Sequence, residues 1–133
     1  MGCDIHAFIE VPHYGMINSW ASLPFLKRDY KLFSLLAGVR NHDNGLQPVV
    51  PPRGVPENMA WAAADLYNSD LYIWHTASWL QLHELRQVAK QYRTTEIANY
   101  PLQNHDLNAI IAAMAALDLS ERGLSRLVFW FDN

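Results

Sequence analysis

The sequence predicts one α/β (α+β) domain over residues 1–133, a small, mainly antiparallel sheet of about three to five strands with about four helices packed largely on one side. Three observations carry this. Both ends of the chain alternate in strand fashion, Met1–Glu10 and Leu124–Phe131. Between them, four segments repeat apolar residues at helical spacing. No repeat, low-complexity tract or linker divides the chain, and 133 residues suffice to bury a core without disulfide or metal staples.

The first strand is the richest segment. Period-two geometry puts Asp4, His6, Phe8 and Glu10 on one face and Cys3, Ile5, Ala7 and Ile9 on the other. It should end at Val11-Pro12, because proline cannot donate to a ladder. A turn at His13-Tyr14-Gly15 returns Met16–Ala21 as the second arm of a hairpin. Asp29 is a good N-cap for a helix with Leu32, Leu35, Leu36 and Val39 inward and Gly38 as its stop. From Arg40 to Pro56 the prolines forbid regular structure, and a loop of that length in a small domain is usually functional or disordered. Its apolar residues (Leu46, Val49, Val50, Val55) argue that it packs on the body.

Pro56 suits the first position of a helix over Glu57–Leu66. Leu71–Trp74 reads as a short strand. Ser78 or Gln81 caps a third helix with Leu82, Leu85, Val88, Ala89 and Tyr92 inward. Asn104 or Asp106 caps a fourth, striped by Leu107, Ile110, Ile111, Met114 and Leu117. Glu121-Arg122-Gly123 turns the chain into the closing strand. Its alternation suggests a position covered on both faces, and pairing with the first strand would bring Asp132 and Asn133 near the Asp4–His6 face.

Composition bounds the function. Half the residues are hydrophobic and 17% are charged, which excludes a disordered chain. A net charge of −3 argues against non-specific nucleic-acid binding, which needs a basic stripe. The nearest thing to one is Lys27, Arg28 and Lys31. One cysteine allows no internal disulfide, and the sequence offers no charged leader before a long apolar run and no membrane-length apolar stretch; the expectation is a cytoplasmic protein.

The opening MGCDIH, the Arg28-Asp29-Tyr30 to Val39-Arg40-Asn41 block, Pro52-Arg53-Gly54-Val55-Pro56, His75-Thr76-Ala77-Ser78-Trp79-Leu80 and the closing Phe129-Trp130-Phe131-Asp132-Asn133 form one set. Together they resemble a family of small uncharacterised proteins encoded by bacteriophages and prophages. The resemblance covers most of the chain and implies life in the cytoplasm of an infected bacterium, with interference in host defence as the natural role. It brings no activity to transfer.

Asp4 and His6 share a strand face at a spacing that metal-dependent phosphoesterases use, and Asp132 could join them as a third ligand to a divalent ion. The alternative is a hydrogen-bonded pair that contacts ligand, backbone or arginine. Asn41-His42-Asp43 and Asn104-His105-Asp106 resemble metallophosphoesterase segments, but the Gly-Asp and Gly-His-x-His partners of that fold are missing. Cys3 falls on the apolar face, away from His6, which disfavours a nucleophilic couple. Arg40-Asn41 and Arg53-Gly54 could clamp an anion with planar guanidiniums, or could brace the loop. His75, Ser78 and Trp79 supply donors and a stacking ring, or an ordinary helix cap with a core indole.

These residues point to capture of a small anionic, nucleotide-like molecule by Asp4, His6, Arg40, Asn41, Arg53, His75, Ser78 and Trp79, in the service of evading host defence. Two alternatives stay open: a metal-dependent phosphodiester hydrolase, and a protein that inhibits a host complex by binding it. Whether the chain is an enzyme is left open, and an oligomer is allowed.

Overall fold

The computed structural model of the protein describes residues 2–41 and 45–132. Its elements run β1 (Ile5–His13), β2 (Met16–Ser22), α1 (Tyr30–Ala37), α2 (Trp61–Ser69), β3 (His75–Gln81), α3 (Leu82–Thr94), α4 (His105–Asp118) and β4 (Arg126–Phe131). The strands form one antiparallel sheet in the order β2-β1-β4-β3. The α/β class, the antiparallel sheet and the four helices are as the sequence predicts.

Local chemistry sets most boundaries. Asp29 Oδ1 accepts the Leu32 N–H at 3.0 Å to start α1, and Gly38 ends it in the left-handed region at φ 71. Gln81 and Glu84 form a capping box at α3, and Asn104 rather than Asp106 caps α4. β1 runs through Pro12 to His13, beyond its last pair with β4 at Glu10, where one side of the strand has no neighbour and a missing donor is tolerated.

Besides the end of β1, which lies at His13 rather than at Val11-Pro12, two expectations need correction. The helix after Pro56 begins at Trp61, because Glu57 and Asn58 form a turn and the Ala60 N–H is taken by Glu10 Oε2 at 2.8 Å. The strand expected over Leu71–Trp74 lies at His75–Gln81 instead. Leu71, Tyr72 and Ile73 form an exposed turn closed by the Ile73 N–H on the Asp70 carbonyl, whereas Ala77 and Leu80 can bury against opposite faces of the sheet.

The β1 alternation holds. Cys3, Ile5, Ala7 and Ile9 join Leu127, Phe129 and Phe131 in the main core beneath α1, α3 and α4. Phe8, Val128, Trp130 and Ala77 face the other way, beneath Ala63 of α2 and Val55 and Met59 of the preceding loop. Three helices therefore cover one face and one helix the other. On the second face, Glu10 is wholly buried and bonded to Arg126, while Asp4 and His6 at the far end of the same row meet solvent. One buried amine makes no ion pair or hydrogen bond among the described residues: Lys31 Nζ lies 4.1 Å over the Tyr92 ring, with Asp29 and Glu96 the acids that act on it from farther off.

Candidate functional site

The two terminal strands pair so that residues from both ends of the chain meet. Ile5 is opposite Phe131 and His6 opposite Trp130, and the Asp132 N–H donates to the Asp4 carbonyl at 3.1 Å. This pairing folds the Asp132 carboxylate back over β1. Its Oδ1 accepts the Asp4 N–H at 3.2 Å and its Oδ2 accepts His6 Nε2–H at 2.7 Å. The carboxylate thereby fixes the imidazole's tautomer and leaves Nδ1 as an acceptor in the neutral ring. Trp74 packs edge-on against His6 at 4.6 Å, and Trp130 lies parallel to it at 6.3 Å. Nε1 of both indoles is buried without a partner among the described residues.

Arginines flank the start of β1. Arg28 binds Asp4 through Nε at 2.6 Å and Nη2 at 3.0 Å, the side-on fork that guanidinium geometry favours. That bond holds the Asp4 carboxyl below its ordinary value. The Arg28 guanidinium lies where a Cβ on residue 2 would be, so Gly2 is what lets it come so close. Arg40, in the left-handed region at φ 56, sits 5.6 Å over the Tyr30 ring, and the Tyr30 hydroxyl accepts the Cys3 N–H at 3.2 Å. Burial pushes the Cys3 thiol up, although a hydrogen bond from Arg40 pulls the other way. Cys3 is fully buried on the main-core face, opposite His6.

The remaining candidates lie apart. Asn41 clamps its own loop, accepting the Leu46 N–H at 3.1 Å and donating to the Leu46 carbonyl. Arg53 braces β3: its N–H binds Ser78 Oγ at 3.1 Å, and its guanidinium bonds the Trp79 carbonyl and Glu84 while lying 4.3 Å over the Trp79 ring. Burial raises Glu84, but the bonds from Arg53 and the Gln81 N–H outweigh it and leave the carboxyl below its ordinary value. His75 is in register with Phe131 and stacks on it at 6.2 Å, on the face opposite His6. A bulge between His75 and Ser78 holds Thr76 at φ 54, a strained setting for a β-branched residue, and Thr76 Oγ1 takes His75 Nδ1 at 2.8 Å. His75 Nε2 is buried and unpartnered among the described residues.

Asp4, His6 and Asp132 are thus neighbours, but their donor atoms are turned to protein groups. Both Asp4 oxygens are on Arg28, and His6 Nε2 is on Asp132. Among the described residues, no group of three or more His, Cys, Asp and Glu side chains is placed to hold a metal ion. His42 and Asp43, like Asn133, lie outside the described residues. In the second tripeptide, Asn104 is a helix cap and Asp106 accepts the Lys27 N–H at 3.0 Å.

Arg28, Tyr30 and Trp74 are the site residues that pattern reading passed over. Arg28 was visible in the Lys27, Arg28, Lys31 cluster, whose members go separate ways: Arg28 to Asp4, Lys31 into the interior. No family model, curated protein or solved structure matches this chain.

Proposed function

We propose that the protein captures a small anionic, nucleotide-like ligand at the end of the sheet where β1 begins and β4 ends. One observation carries the reading. The Arg28 guanidinium, a carboxylate-held imidazole and two indoles with buried N–H groups unpartnered among the described residues gather around Asp4 and His6, and Arg40 stands over Tyr30 beside Cys3. Buried donors left unmatched by protein are groups that a ligand or ordered water satisfies. Arginines suit phosphate or carboxylate, and the neighbouring Asp4 keeps the site mixed in charge, which favours a ligand with donors of its own over bare phosphate. In this reading Arg28 replaces Arg53 as the partner of Arg40, since Arg53 is committed to β3. The resemblance to phage and prophage proteins suggests the purpose: removing a nucleotide signal from a host defence pathway.

Calorimetric titration with mononucleotides and cyclic dinucleotides, with and without divalent ions, tests it. Binding that Arg28→Ala and His6→Ala each weaken tenfold or more is the expected result. Silence across the panel sinks the reading, and turnover that needs an added divalent ion converts it into the hydrolase. A second reading, capture of a host protein, draws on exposed Trp20, Phe25 and Trp61. A complex with a host protein that survives excess nucleotide would favour it.

A further inference from the structure

A cavity of about 340 Å³ opens beside the sheet-end site, and Arg28 is the wall they share. Its volume is in the range of small-molecule pockets. Residues 27–29 ahead of α1 form one side, and residues 99–101 and 103–106, including the first turn of α4, form the other. The N-caps of the two helices are tied together across it, with Asn104 Nδ2 donating to Asp29 Oδ2 at 2.7 Å.

The acids at this cavity are already engaged. Asp29 accepts from the Leu32 N–H, the Tyr92 hydroxyl and Asn104, and Asp106 accepts from the Lys27 N–H. What remains for a ligand is an aromatic ring, Tyr100, the imidazole of His105, the amide of Asn99, the amide nitrogen of Gln103 (its oxygen accepts from Asn108 Nδ2 at 3.4 Å), and cations at Lys27 and Arg28. The fork from Arg28 to Asp4 uses Nε and Nη2, and Nη1 lies outside that pair, packed over Gly2. A ring for stacking, amides for a donor–acceptor edge and a guanidinium beside them are the groups that recognise a nucleobase joined to a phosphate. Asn99 stands in the left-handed region at φ 71 and is exposed at the cavity wall.

We infer that this cavity holds the base of the ligand while the arginines at the sheet end hold its phosphate, so that the protein selects among nucleotides by their base. The inference rests on the proposed function and adds a second contact region to it. A site built to hydrogen-bond a group rejects analogues that lack it far more strongly than an apolar slot does.

Calorimetry on the whole chain with AMP, GMP, CMP, UMP and ribose 5-phosphate decides the matter. The expected result is that one nucleotide binds at least tenfold tighter than ribose 5-phosphate. Asn99→Ala and Gln103→Ala should then bring the four nucleotides within about threefold of one another while leaving ribose 5-phosphate unchanged, the size a lost base contact gives. Arg28→Ala should weaken every probe. Ribose 5-phosphate binding as tightly as the nucleotides, or base preference surviving both amide variants, overturns the inference and leaves the sheet-end site standing. So does an amide variant that weakens ribose 5-phosphate as much as the nucleotides. No mononucleotide binding also overturns it, whereas the proposed function falls only if the cyclic dinucleotides are silent too.

Discussion

The second face of the sheet carries a carboxylate–cation contact at each end, and the two have opposite fates. At one end Glu10 is wholly buried and Arg126 is 14% exposed; the pair is joined at 2.8 Å and sealed by Asn58 and the Ala60 N–H. At the other end the side chains of His6 and Asp132 are 28% and 26% exposed, and those of Asp4 and Arg28 are about half exposed. The strand pattern that places them is the same, and so is the chemistry. The difference is the covering: residues 58–60 ahead of α2 close over Glu10, and the Asp4–Arg28 pair at the other end stays in contact with solvent. A sealed pair is part of the fold, since its charges have no water to fall back on. An open pair costs little to rearrange and can exchange a protein partner for a ligand.

The largest expected effect tests the sealed end. Glu10→Ala should destabilise by roughly 3–5 kcal/mol, because it strands Arg126 and the Ala60 N–H in a dry setting. Denaturant unfolding measures this, and a loss below about 1 kcal/mol would mean that water reaches both ends alike. Lys31 supplies the case that neither end has, a sealed cation without a partner. Burial pushes its amine down, so the folded protein releases this proton more readily than the unfolded chain does. The sign follows. The penalty is complete below the folded pKa and fades as pH rises towards the unfolded value of about 10.4. Lys31→Met should therefore stabilise by about 1–3 kcal/mol near neutral pH, with the gain shrinking by pH 10. A gain that stays level from pH 7 to 10 would count against an ammonium in the folded state.

Arg28→Ala probes the open end and should leave the unfolding midpoint at pH 7 nearly unchanged, since exposed ion pairs contribute little, while weakening ligand binding. A stability loss as large as that of Glu10→Ala would erase the contrast between the ends. The smallest effect is in acid. Because Arg28 holds Asp4 below its ordinary pKa, the pair's contribution is present above about pH 4 and disappears as pH falls through the folded value. The unfolding midpoints of the native protein and Arg28→Ala should converge on going from pH 7 to pH 2.5.

How much of this is legible in the sequence depends on what a residue's neighbours in the chain can dictate. The two faces of β1 follow from alternation alone, and the helix starts follow from Asp29, Gln81 and Asn104. Strand β3 is hidden because His75–Gln81 bends through a bulge at Thr76, which breaks the period that would reveal it. Partner choice is hidden more deeply. Nothing local distinguishes Arg53, which folds back onto Glu84, from Arg28, which reaches the sheet end, or Glu10 from Asp4. Those outcomes are decided by residues far along the chain.

That distance has a kinetic consequence. His6 and Asp132 are 126 positions apart, and the β1–β4 ladder that joins them is the centre of the sheet. Closing so long a loop is entropically costly and rewarded only late, so the β1–β2 hairpin and the α3–α4 pair can form well before the middle strands meet. The sheet-end site draws on both terminal strands and is complete only once β1 and β4 have paired. A ligand that needs both ends of the chain binds only the finished fold. At a hundred times its Kd such a ligand would stabilise that state by about 2.7 kcal/mol, a shift that thermal or denaturant unfolding would read.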